Sequence, residues 1–167
     1  MSGVSSVGAN ETVLQVTTNV DPKKFDISKY DEFLDLLCDE RDYQRESIEE
    51  AVRFFLGGEY QTTAELAEVN FKDNTSLQKL YTNFANLRSH LDFPDKLSCT
   101  LHLATATGKT WSMYGIAQIM LAEGHVDKVL VLCPSLTIEK QLTKRFGEFS
   151  QDPNLKSNMP FLQNRFR

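Results

Sequence analysis

The sequence predicts an α/β fold: an incomplete P-loop, parallel-sheet domain preceded by a helical N-terminal region. Three observations carry that prediction. Apolar residues in the first half recur at helical spacing, whereas from Leu97 onward short apolar runs alternate with helical stretches. Between the first of those runs and the helix after it lies Leu103-Ala-Thr-Ala-Thr-Gly-Lys-Thr110, a turn suited to holding phosphate. A length of 167 residues allows one ordinary domain with a buried core.

In chain order, residues 1–20 are expected to be a disordered Ser/Gly tail, with neither the basic start nor the apolar middle of a secretory signal. Residues 21–93 form the helical region. Tyr30, Phe33, Leu34 and Leu37 recur at i, i+3, i+4 and i+7 and mark one helix face. Ile48, Ala51, Val52, Phe55 and Leu56 mark a second helix, which Gly57-Gly58 stops. Residues 61–92 read as mainly helical, with a stripe of Leu77, Leu80, Tyr81, Phe84, Leu87 and Leu91. Phe93-Pro94 ends this part, because the residue before proline disfavours helix.

Residues 94–149 are expected to form a βαβα unit. Leu97–Leu103 is short, β-prone and apolar, as a buried strand would be. Residues 110–123 place Met113, Ile116, Ala117, Met120 and Leu121 on one helix face, ended by Gly124. Lys128–Cys133 is a near-continuous apolar run, as expected of a parallel strand covered on both faces. Pro134-Ser135 breaks it, and Ser135 caps a last helix bearing Ile138, Leu142 and Phe146. Residues 150–167 read as an irregular end.

Composition narrows the function. No apolar run approaches the ~20 residues that span a bilayer, so no membrane partner is expected. Cys38, Cys99 and Cys133 are odd in number, far apart and set in apolar stretches, and are expected to be buried thiols in a reducing, cytoplasmic setting. His90, His102 and His125 show no metal-ligand spacing. A net charge of −5 argues against a nucleic-acid binder that uses its whole surface. The charge is uneven, however: residues 128–167 carry 7 basic and 3 acidic side chains, a pattern compatible with phosphate contacts and equally with a solvated face.

The residues with chemical character fall in three segments. In the turn Thr105-Ala106-Thr107-Gly108-Lys109-Thr110, successive backbone N–H groups can point at a phosphate chain, helped by the positive end of the following helix. Gly108 allows close approach, Lys109 places an ammonium on the β/γ phosphates, and the Thr110 hydroxyl is suited to ligate Mg²⁺. The strict pattern wants glycine where Leu103 stands, so the strand–turn–helix context carries the reading. Arg41-Asp-Tyr43-Gln44 opens the second helix. A glutamine amide offers a donor and an acceptor side by side, which suits the N6/N7 edge of adenine, and Tyr43 can stack on a base or pack locally. Pro134, Ser135 and Thr137 follow the second apolar run, at the strand end where ligands bind in open α/β sheets.

Together these segments resemble the N-terminal part of the superfamily 2 helicase-like ATPases, in the branch of type III and type I restriction-enzyme motor subunits. Arg41, Tyr43 and Gln44 match that family's adenine-reading segment; Ala104–Thr110 matches its motif I, usually written with glycine in place of Ala106. Cys133-Pro-Ser-Leu-Thr137 matches motif Ia, which contacts the nucleic-acid backbone. The resemblance implies a RecA-like domain, ATP and Mg²⁺ as cofactors, and duplex DNA as partner. It also implies methyltransferase or specificity subunits of a restriction system. Members hydrolyse ATP with an Asp-Glu pair that ends a later strand and with arginines of a second domain. No segment after Thr110 offers such a strand, so no catalytic residue is assigned and the chain alone is expected not to turn ATP over. Asp39-Glu40 is a decoy, since it precedes the phosphate loop and follows residues at helical spacing. The long interval between Gln44 and Lys109 marks residues 60–93 as a helical insertion. Two rivals stand beside this reading: a small P-loop enzyme, and a non-enzymatic chain that folds against a partner.

Overall fold

A computed structural model describes residues 14, 25–104 and 107–159; the rest of the expected N-terminal tail, Thr105, Ala106 and residues 160–167 lie outside that set. A 3-10 turn at Ile27–Tyr30 leads into α1 (Asp31–Cys38) and α2 (Asp42–Leu56). Three shorter helices follow, α3 (Thr63–Asp73), α4 (Thr75–Leu80) and α5 (Phe84–Ser89). After an extended stretch come α6 (Lys109–Ala122), α7 (Leu136–Gln151) and α8 (Pro153–Ser157).

The main core joins α1, α2, α6 and α8. Phe33, Leu34, Leu37 and Cys38 meet Ile48 and Val52 of α2, Tyr114 and Ile119 of α6, and Leu155 and Met159 around α8. The α1 stripe expected from the sequence is therefore the stripe that is buried. Each such side chain contributes roughly 1.5–3 kcal/mol of burial. The seam between α2 and α6 is close: a Cβ at Gly115 would come within 2.6 Å of Ile48 Cδ1 and 3.0 Å of Leu37 Cδ2. Arg45 holds α1 to α2 through Asp31 and Asp35 while also pairing with Glu49 on its own helix. Residues 39–40 are a turn closing α1, so Asp39-Glu40 does not end a strand.

The insertion expected between the two site segments is helical and has clusters of its own. Ala67, Leu77, Tyr81 and Leu87 form one, and Phe54, Tyr60 and Leu66 join it to α2. Thr62 caps α3 by accepting from Glu65 N, and Asn74 caps α4 by accepting from Ser76 N and Leu77 N. Leu80, one of the expected stripe, is exposed, because the helix breaks at Tyr81 and the stripe does not continue in register.

The parallel sheet expected from the sequence is not found. Among the described residues there is no strand: residues 97–104 and 128–133 run without strand pairing, and the architecture is helical. The physical reason is visible in the exposures. Leu130 and Leu132 are 82% and 84% exposed, with Val129, Val131 and Leu101 also at the surface. A parallel strand is stable when neighbours pair its backbone and helices cover both faces, and among the described residues neither cover nor ladder reaches these segments. The α/β fold class therefore gives way to an α-helical one. The end also differs from expectation, since α8 lies where an irregular stretch was expected and sets Leu155 into the main core. Of the three cysteines only Cys38 is buried; Cys99 is exposed and Cys133 intermediate, because both lie in or beside those uncovered runs.

Candidate functional site

The junction before α6 is built by glycine. Gly108 is the N-cap of α6 at φ 81°, ψ 38°, a left-handed conformation that side-chain-bearing residues adopt only at a cost. Among the described residues no side chain caps the helix there, so its first amides lack the usual Ser, Thr, Asp or Asn acceptor. Just before it, the Thr107 hydroxyl donates to Ala104 O at 2.7 Å and closes the turn. Trp111 N donates back to Gly108 O at 2.9 Å, which tightens the first turn of α6. Lys109 is exposed and Thr110 half-buried at the helix start. Thr110 also lines a groove of about 460 Å³ walled by α7, with Gln141, Lys144, Arg145 and Glu148 along it. Lys144 and Arg145 both pair with Glu148, so the wall is less cationic than its sequence suggests.

The start of α2 is folded onto this junction. Gln44 is 1% exposed, and its Nε2 donates to Thr107 O at 2.6 Å across 63 residues of sequence. The bond fixes which way the amide points, because the opposite orientation would face two oxygens. Gln44 Oε1 is buried and has no donor among the described residues. A buried amide acceptor left unmatched costs about 1–3 kcal/mol, so a donor brought to this atom would be favoured. Gly108 makes the arrangement possible, since a Cβ there would overlap the Gln44 amide. One helical turn further on, the Ser47 hydroxyl donates to Gln44 O at 2.7 Å and lies 2.9 Å from the Ser112 hydroxyl of α6.

Arg41 reaches the same place by another route. Its guanidinium lies 5.7 Å from the centroid of the Trp111 indole, while that of Arg145 from α7 lies at 5.4 Å. Tyr43 is 45% exposed. Pro134, Ser135 and Thr137 are exposed, and the Ser135 hydroxyl oxygen accepts from Ile138 N as the cap of α7. Among the described residues no hydrogen bond or ring contact ties Pro134, Ser135 or Thr137 to the loop. Thr105 and Ala106, expected in the phosphate-holding turn, lie outside the described residues.

Of the residues singled out in the sequence, the structure brings Gln44 against Thr107 and Gly108 and Arg41 against Trp111, beside Lys109 and Thr110. Sequence reading missed Ser47, Ser112 and Trp111. Ser47 lies one helical turn after Gln44, and Ser112 is a polar residue inside an apolar helix; both signals were available but non-specific. No group of His, Cys, Asp or Glu among the described residues is arranged to hold a metal ion. No helix among them is long and apolar enough to cross a membrane.

Comparison with known proteins gives one match. A family model described as "Type III restriction enzyme, res subunit" matches residues 37–165, a span that contains every site residue discussed above. No curated protein and no solved structure matches the chain.

Proposed function

The chain belongs to the type III restriction enzyme res-subunit family, and from that premise we propose that it supplies the ATP-binding part of a motor that acts on duplex DNA. The single observation that carries this reading is the contact of Gln44 with the phosphate loop. The amide expected to read adenine donates to Thr107 O and retains a buried acceptor without a donor among the described residues. An exocyclic amino group, as adenine has and guanine lacks at that position, is the donor that acceptor fits. The left-handed Gly108 and the uncapped start of α6 fit a phosphate chain on the same grounds.

In this reading Lys109 holds the β/γ phosphates, the Thr110 hydroxyl takes Mg²⁺, and Gln44 selects the base. Bound ATP supplies the phosphoanhydride whose hydrolysis drives movement along DNA in such a motor. Arg41 shapes the base side of the site through Trp111, and Tyr43 is free to stack on the base. Pro134, Ser135 and Thr137 present an exposed backbone and hydroxyls to a DNA strand, in keeping with the 7 basic residues after position 127. Restriction-system methyltransferase or specificity subunits are the protein partners.

Calorimetric titration of the chain with Mg·ATP tests the reading. Lys109→Ala removes a charge-assisted contact worth about 2–5 kcal/mol, a loss of at least roughly 30-fold in affinity. Equal affinity in the variant, or no heat with the unmodified chain, refutes it.

A further inference from the structure

We propose that the buried hydroxyl pair Ser47–Ser112 is a positioning device that fixes the phosphate loop relative to the base-reading end of α2. The inference rests on the nucleotide-binding reading above and adds to it a pair of residues that the reading does not use. Ser47 is 8% and Ser112 1% exposed. A hydroxyl has one proton, and Ser47 places its own on Gln44 O at 2.7 Å. Ser112 is therefore the donor in the 2.9 Å contact between the two. Gln44 then donates from its side chain to Thr107 O at 2.6 Å. The result is a directional chain that runs from Ser112 to Ser47, to Gln44, to Thr107.

Thr107 and Ser112 stand on either side of Gly108, Lys109 and Thr110. Helix α2 thus grips both ends of the segment proposed to hold phosphate, once through a side-chain amide and once through a hydroxyl. The rest of the seam is apolar, with Ile48 and Leu37 against Gly115. Apolar contacts favour proximity without fixing a direction, whereas a hydrogen bond loses strength steeply off its axis. A serine in a helix commonly turns its hydroxyl back to a carbonyl of its own helix. Ser112 instead reaches across to α2, so what the pair contributes is register between the two helices. A mutually satisfied pair adds little to net stability, and replacing both partners by apolar groups is close to neutral. Loss of the pair should leave the fold intact and separate the base contact from the phosphate contact.

The test compares Mg·ATP with inorganic tripolyphosphate as ligands of the full chain. Both are measured by calorimetry in the unmodified protein, in Ser47→Ala/Ser112→Ala and in Ser112→Ala, each at the same interval below its own melting midpoint. The unmodified chain is expected to bind ATP more tightly than tripolyphosphate, because the base adds to the phosphates. In both variants that preference should fall by about fivefold, the lower range of a typical coupling between sites. The melting midpoint of the double variant should stay close to that of the parent. Ser112→Ala leaves the Ser47 proton on Gln44 O, so it serves if the double variant does not fold. A preference preserved in the variants refutes the inference alone. Equal affinity for the two ligands in the unmodified chain refutes the adenine reading and the inference with it.

Discussion

Replacing Gly108 by alanine should destabilise the chain through two separable terms. The first is the backbone: an L-residue at φ 81°, ψ 38° carries a cost of about 1–2 kcal/mol relative to glycine. The second is steric, because the new methyl would overlap the Gln44 amide and displace it from Thr107 O. Breaking a buried hydrogen bond and stranding its acceptor costs about 1–3 kcal/mol, so the total is about 2–5 kcal/mol. In a Gln44→Ala background the methyl has room, and only the backbone term remains. Urea unfolding of the four proteins, followed by far-ultraviolet circular dichroism, closes the cycle. The expected interaction energy is about 1–3 kcal/mol. Additivity to within about 0.5 kcal/mol would show that Gln44 and the loop are not in contact, and would remove the observation on which the nucleotide reading stands.

Other changes test the packing and the electrostatics. Leu34→Ala, at a fully buried position of α1, should cost about 2–5 kcal/mol in the same denaturation assay. Leu130→Lys with Leu132→Lys should change stability by less than about 0.5 kcal/mol each while reducing self-association in sedimentation velocity, because both leucines are exposed. Ser135→Ala should cost about 0.5–2 kcal/mol by uncapping α7, read as a fall in melting midpoint. Burial pushes the Cys38 thiol up to about 11 from 9.0, so its contribution is fully present below pH 9 and is lost as pH rises through about 11. Alkaline unfolding between those limits should therefore be less steep in Cys38→Ala; curves of identical slope would contradict the burial of this thiol.

Which parts of the molecule were legible in the sequence follows from where the forces act. Tyr30, Phe33, Leu34 and Leu37 share one helix face, and that spacing alone specified what is buried. Gly124 follows α6 at φ 69°, a left-handed conformation that glycine adopts freely, so this stop could be read from the residue type alone. The runs at 97–103 and 128–133 misled, because apolar composition signals a tendency to be covered but not the presence of a cover. For α6 the expected face was partly wrong: Ser112, Tyr114, Gly115 and Ile119 are buried, whereas Met113 is exposed. That helix is apolar on most sides, so periodicity gave little direction. At the site, Gln44 and Gly108 were each identifiable by type, yet their contact spans 63 residues and only the folded chain reveals it. Ser47 and Ser112 could not be singled out, since a lone serine in a helix is common and its partner was unknown.

Trp111 is the one tryptophan of the chain, and it sits next to Thr110 with a guanidinium from Arg41 on one contact and from Arg145 on another. Indole emission responds to nearby charge and to the polarity of its surroundings. The molecule therefore contains its own optical probe at the start of α6, free of the background that further tryptophans would add. Any ligand that moves Arg41 or shields Trp111 will alter the intensity or wavelength of that single emission. Occupancy can then be followed in unlabelled protein at low concentration, and stopped-flow traces would time the events at the loop.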